Sequence, residues 1–281
     1  MLYHYLPELE SYRSELDRDS PDSTCTKHLS LLIDHIKKTY ASTTDTLISL
    51  LQSKEITYNL LWALFKSNSL VYTTCFGTGK PRCVKYDFGE EKESLEGVKY
   101  YNLECRYLDF NGEKFGEASI EAKIVKFLGT KPINALEAFP LQYHTDGKRV
   151  RADLIKCGRK FVSLRGSHHR RCHGPAFFMR RGQPVRVAIN SQIMIDAAFF
   201  QEINPNGGSR PSVTEPQWAI NSSSEWHLSS GSSSGPSSRQ VESICTEPVK
   251  LTEEELLICC PTVPGFSLGI KLWGKIPVFK D

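Results

Sequence analysis

The sequence predicts an α+β fold in which N-terminal helices pack on a small antiparallel sheet, followed by a basic helix–strand extension and a Ser/Gly-rich disordered tract. Three observations carry this reading. Apolar residues recur at helical spacing between Lys27 and Leu51, the period drops to about two from Ser69 onward, and glycine-containing turns separate the β-rich runs. With 40% hydrophobic and 24% charged residues over 281 positions, the chain has the composition of a globular protein with room for a sizeable core.

Residues 1–24 are polar and mixed in charge, with Ser20-Pro21 among several aspartates, and read as a frayed end. Leu29, Leu32, Ile33, Ile36 and Tyr40, then Leu47, Leu50 and Leu51, form an amphipathic stripe. The stripe belongs to one long helix or to a helical hairpin broken near Ser42-Thr43-Thr44. A second short helix is expected over Thr57–Phe65, its Leu60, Leu61, Leu64 and Phe65 forming a core face.

Leu70–Phe76 and Cys83–Phe88 flank Gly77-Thr78-Gly79-Lys80-Pro81 and predict a hairpin. Val98–Phe110 and Lys114–Phe127 flank Asn111-Gly112 and predict a second one. Ile133 to Tyr143 adds one more strand or a covering segment. Arg149–Leu164 is helical, with Gly166 as its stop. Ala176–Met179 and Val185–Ile195 are β-like runs around Arg181-Gly182-Gln183-Pro184.

Asn204–Glu247 is too poor in apolar residues to offset the entropy of ordering. After it, Thr252 caps a short helix that starts with three glutamates, and Val263–Trp273 reads as a terminal hairpin. The expected organisation is a helical segment at 1–56, an α+β core domain at 57–145, a basic extension at 146–203, a linker at 204–250 and a helix–hairpin segment at 251–281.

Several function classes find no support in these residues. No basic start leads into an apolar run at the N-terminus, and no stretch of about 18 apolar residues occurs, so an intracellular protein, cytoplasmic or nuclear and away from membranes, is expected. Nine cysteines without framework spacing then read as reduced thiols. Gly77–Pro81 superficially resembles a phosphate loop, but Thr74 stands where its first glycine is required and Pro81 where its hydroxyl is required.

Ser167–His173 is dense in metal-type ligands, yet it is a single cluster and Arg170 and Arg171 repel a cation, so a polar strand-entry loop is expected there. No hydrolase, cysteine-protease or zinc-protease signature appears, and Glu121, Glu137 and Asp153 read as isolated carboxylates. No enzyme and no cofactor is expected.

The most distinctive feature is charge. Twelve lysines and arginines lie between Lys148 and Arg186, against Asp153 alone. The candidate binding patch within this run comprises Arg149, Arg151, Arg159, Lys160, Arg165, His168, His169, Arg170 and Arg171. Such a run, with Phe177 and Phe178 interleaved, suits phosphate backbones or an acidic neighbour, although no RNA-binding or zinc-finger pattern accompanies it.

Five segments also carry a resemblance. Leu60–Glu91 (LLWALFKSNSLVYTTCFGTGKPRCVKYDFGEE), Arg106–Ser119, Gly158–Phe178 (GRKFVSLRGSHHRRCHGPAFF), Ile193–Pro205 and Glu255–Gly274 (ELLICCPTVPGFSLGIKLWG) are similar, in this order, to the N-terminal region of fungal AAA+ ATPases. The Walker A lysine, the Walker B acids and the arginine finger of that family belong to a motor expected beyond this chain. No position here corresponds to them. The resemblance implies a domain that recruits substrates or adaptors, with a client protein or AAA+ subunits as partners. The alternative is a nucleic-acid-binding module working through Arg149–Arg186.

Overall fold

The computed structural model describes residues 2–19, 24–180, 183–203 and 251–278. The linker expected at 204–250 and the turn expected at Arg181-Gly182 lie outside the described residues. The chain forms two compact units that interleave along the sequence. The first comprises residues 1–74, 81–106 and 120–150; the second comprises 75–80, 107–119 and 151–281.

The first unit opens with a 3-10 turn and helix α1 (Leu6–Asp19) where a frayed end was expected. The reason is aromatic anchoring. The Tyr3 ring sits 5.2 Å from that of Tyr40 and 5.4 Å from that of Trp62, and His4 Nε2 lies 2.9 Å from the Trp62 carbonyl oxygen. Glu8 and Glu10 add ion pairs to Lys66 and Lys37.

Helix α2 (Thr24–Gln52) runs unbroken through Ser42–Thr44. Its hydroxyls donate back along the same helix, Thr44 to the Tyr40 carbonyl at 2.8 Å and Thr46 to that of Ser42 at 2.9 Å, so these polar residues are accommodated without a turn. The helix expected over Thr57–Phe65 is shorter. Glu55–Thr57 forms strand β1, and after one 3-10 turn only Leu61–Leu64 is helical (α3).

Both predicted hairpins are present. Strands β2 (Leu70–Thr74) and β3 (Pro81–Glu93) pair antiparallel from Leu70↔Lys85 to Thr74↔Pro81. Strands β4 (Lys99–Phe110) and β5 (Phe115–Val125) flank the Asn111-Gly112 turn. There Gly112 has a φ of 101°, and the Asn111 side-chain oxygen accepts from the Glu113 and Lys114 amides. Thr130–Pro132 (β6) pairs with β1, and Phe139–Pro140 (β7) pairs with β2. The five-stranded sheet is ordered β5-β4-β3-β2-β7. Ile33, Ile56, Leu61, Val71, Val84, Leu103 and Ile124 are fully buried in this unit.

The second unit is built around a closed four-stranded barrel ordered β10-β11-β8-β9. Helix α4 (Gly147–Ser163) precedes it and sends Leu154, Cys157 and Phe161 into the core. The barrel strands are β8 (His168–Arg180), β9 (Gln183–Ile195), β10 (Thr262–Ser267) and β11 (Leu272–Pro277). Short helices α5 (Ala197–Ile203) and α6 (Glu253–Leu257) complete the unit. As expected, Thr252 caps α6, in a capping box with Glu255.

At Gly158 two backbones of this unit come close together. A Cβ there would lie 2.2 Å from the Leu256 carbonyl oxygen, so only glycine lets the two backbones meet.

Candidate functional site

Gly77–Lys80 forms a turn between strands, and the amides of Thr78, Gly79 and Lys80 are already engaged within it. Cys75 N–H donates to the Lys80 carbonyl, and the Thr78 and Gly79 amides both donate to the Cys75 carbonyl. A phosphate cradle needs such amides facing outward.

Three buried thiols are poor nucleophiles. Burial pushes Cys105 and Cys157 up to about 12, and Cys259 well above its ordinary value, which keeps these sulfurs protonated. Among the described residues no three His, Cys, Asp or Glu side chains converge as a metal site. Glu137 is not isolated as expected: it lies 3.5 Å from Lys131.

The predicted basic patch divides. Arg149 belongs to the first unit; the other eight residues belong to the second. His168–His173, expected as a loop, is instead the first half of β8, paired with β9 in continuous register from His168↔Ile195 to His173↔Asn190. Backbone pairing to the apolar end of β9 overrides the low β-propensity of this polar run. His168 and Arg165 turn toward each other, the imidazole Nε2 lying 2.8 Å from the Arg165 carbonyl oxygen. His169, Arg170, Arg171 and Arg159 are exposed. Phe177, which the sequence placed among candidate surface aromatics, is buried, its ring 5.6 Å from that of Phe76.

Of the nine predicted residues, Lys160, Arg170 and Arg171 meet at a cavity of about 650 Å³ in the second unit. His173 and Cys172 join them, and Ile193, Ile195, Val263, Ile276 and Val278 supply apolar walls. No lining residue is acidic. The volume lies within the usual ligand-pocket range of roughly 300–1,000 Å³.

The sequence reading placed His173 in the ligand-dense Ser167–His173 run but not in the binding patch, and it missed the whole apolar lining. His173 was legible in principle, since it continues the basic run. The walls from Val263, Ile276 and Val278 were not, because they arrive from beyond residue 250.

Residues 46–145 match a family described as a domain of unknown function (DUF7025). The match covers just over a third of the chain and includes β2–β7; the cavity residues all follow it. No curated protein and no solved structure matches the chain. Among the described residues no helix is long and apolar enough to cross a membrane.

Proposed function

We propose that this chain is a non-catalytic docking module whose basic cavity in the second unit receives an acidic segment of a partner protein. One observation carries the reading: Lys160, Arg170, Arg171 and His173 surround apolar walls with no acidic residue in the lining. Basic side chains beside apolar surface suit a ligand that brings carboxylates and a few aliphatic anchors. The resemblance to the N-terminal region of fungal AAA+ ATPases supports the same role, since such regions recruit substrates or adaptors. The partner is then a client or adaptor of such a motor.

The nucleic-acid reading rests on the twelve basic residues between Lys148 and Arg186. It loses its stacking platform, because Phe177 is 3% exposed and Phe178 is half-buried.

Fluorescence anisotropy of the full chain tests both readings, with a labelled Glu-rich peptide and a single-stranded oligonucleotide of equal charge titrated across a salt series. The peptide is expected to bind more tightly, with affinity falling as salt rises. Tighter binding of the oligonucleotide favours the nucleic-acid module, and no binding of either at low salt overturns docking at this cavity. Stoichiometric ATP binding by the chain would overturn the non-catalytic reading.

A further inference from the structure

Tight turns between strands ordinarily carry glycine, asparagine, aspartate or serine, which tolerate the backbone and meet water. The turn joining β10 to β11 departs from this. Leu268, Ile270 and Leu272 stand around it and are 47%, 40% and 45% exposed.

Their exposure does not come from a slack loop. The Leu268 amide donates to the Gln192 carbonyl of β9 at 3.0 Å, and the Ser267 and Ser191 hydroxyls are bonded at 2.8 Å. The Ile270 amide donates back to the Ser267 hydroxyl at 3.4 Å. A Cβ at Gly269 would lie 2.8 Å from that of Ser191, so the turn is seated against the neighbouring strand. The fold holds three aliphatic side chains outward.

An aromatic layer lies beside them. Met194 of β9 pairs with Phe266 of β10, and Phe266 pairs with Trp273 of β11, so the three share one face. The Trp273 ring is 5.5 Å from that of Phe266, 5.3 Å from that of Phe200 and 6.1 Å from that of Phe199. Met194 and Phe199 are exposed, and Phe266 and Trp273 are half-buried. Strand alternation puts Lys275 on the face of Trp273, and Lys271 stands exposed in the turn. From Thr262 to Val278 the chain carries these two lysines and no acid. The acids beyond are Glu202 on α5 and Asp196, whose carboxylate accepts from the Phe199 amide and the Ser167 hydroxyl.

An exposed apolar surface built from several elements marks a contact site. Here the aliphatics stand outermost, the aromatics next and a lysine behind them. That is the order of a lipid–water boundary, in which tryptophan lies at headgroup level and cations meet anionic headgroups. We propose that the β10–β11 turn inserts Leu268, Ile270 and Leu272 into the surface of an anionic phospholipid bilayer, with Trp273 at headgroup depth and Lys271 and Lys275 against the headgroups. Such a contact lies on the membrane and needs no spanning helix. It uses none of the residues that line the basic cavity.

The test sediments the full chain with vesicles of phosphatidylcholine alone and of phosphatidylcholine with roughly a third phosphatidylserine. Binding to the anionic vesicles is expected to exceed binding to the neutral ones by about fivefold or more, and to fall with salt. The L268N/I270N/L272N substitution is expected to weaken it about tenfold or more, and K271Q/K275Q to remove the preference for phosphatidylserine. Brominated acyl chains should quench the tryptophan fluorescence of the bound chain, and Trp273→Phe should lose that quenching.

No sedimentation with anionic vesicles at low salt overturns the proposal, as does binding that the triple substitution leaves unchanged. Dimerisation abolished by the triple substitution, without vesicle binding, assigns the surface to a second copy and overturns it too. Should the triple variant fail to fold, the brominated lipids decide: quenching that Trp273→Phe leaves unchanged overturns insertion of this turn.

Discussion

In the five-stranded sheet, β2 to β5 follow one another along the chain and pair with their sequence neighbours, whereas the barrel of the second unit closes with two strands that arrive after residue 260. The two regions also treat charge differently. In the sheet, Lys92 lies 3.0 Å from Glu90 and 3.6 Å from Glu104, and Lys99 lies 3.7 Å from Glu91. At the barrel, three Lys and Arg side chains and a histidine line one cavity without a carboxylate. Exposed pairs like those of the sheet contribute little stability and read as a solvated face. A cluster of like charges opposes compaction, and the acidic partner proposed above would relieve that repulsion.

The comparison can be broken first at the two cores. Phe65 is 1% exposed and its ring lies 5.4 Å from that of Tyr86 in the first unit. Phe65→Ala is expected to cost about 4 kcal/mol through lost contacts and the cavity left behind, read as a lower midpoint in chemical denaturation. A shift under about 1 kcal/mol would mean that this core collapses around the gap, and that the first unit is not the well-packed one.

In the second unit the sensitive position is a backbone approach rather than a large side chain. Gly158→Ala places a methyl group 2.2 Å from the Leu256 carbonyl oxygen and is expected to cost about 3 kcal/mol by overpacking. The same denaturation experiment, run with peptide binding, sharpens the contrast. The Gly158 variant should weaken acidic-peptide binding, because Lys160 sits two residues along the same helix. Unchanged stability would show that α4 and α6 can move apart.

The smallest effect concerns the charged contacts at the N-terminus. The hydrogen bond from Lys66 holds the Glu8 carboxyl below its ordinary value, and Lys37 does the same for Glu10. A depressed carboxylate contributes stability above its unfolded value and loses it as pH falls through the folded one. Lys66→Met should therefore melt slightly lower than the parent at neutral pH, and the difference should shrink toward about pH 3. A difference that persists in acid would assign the effect to the Lys66 cation over the Tyr5 ring, which lies 4.9 Å away.

Most of the local structure was legible. The Asn111-Gly112 turn, the Gly77–Pro81 turn and the Thr252 cap are short-range devices, and each forms where its residues stand. The unbroken α2 was harder, because Ser42–Thr44 has poor helix propensity and only the hydroxyl bonds back to the preceding turn show how it is tolerated. The order at the N-terminus was invisible for a different reason. It depends on Tyr3 and His4 meeting Tyr40 and Trp62, residues far apart in the chain.

The candidate site divides in the same way. Its cations were found by counting, and Lys160, Arg170 and Arg171 do line the cavity. What surrounds them was not, because His168–His173 has the composition of a loop and becomes a strand only by pairing with β9.

The sequence alone determined the α+β class, the two hairpins, the capped helix and the one-sided charge between Lys148 and Arg186. Each rests on periodicity, turn chemistry or composition, which act over a few residues. Only the tertiary structure decided that β10 and β11 close a barrel with β8 and β9 and that Phe177 is buried. Those outcomes depend on pairings between distant segments, and local pattern does not specify which distant strand will supply a ladder's partner.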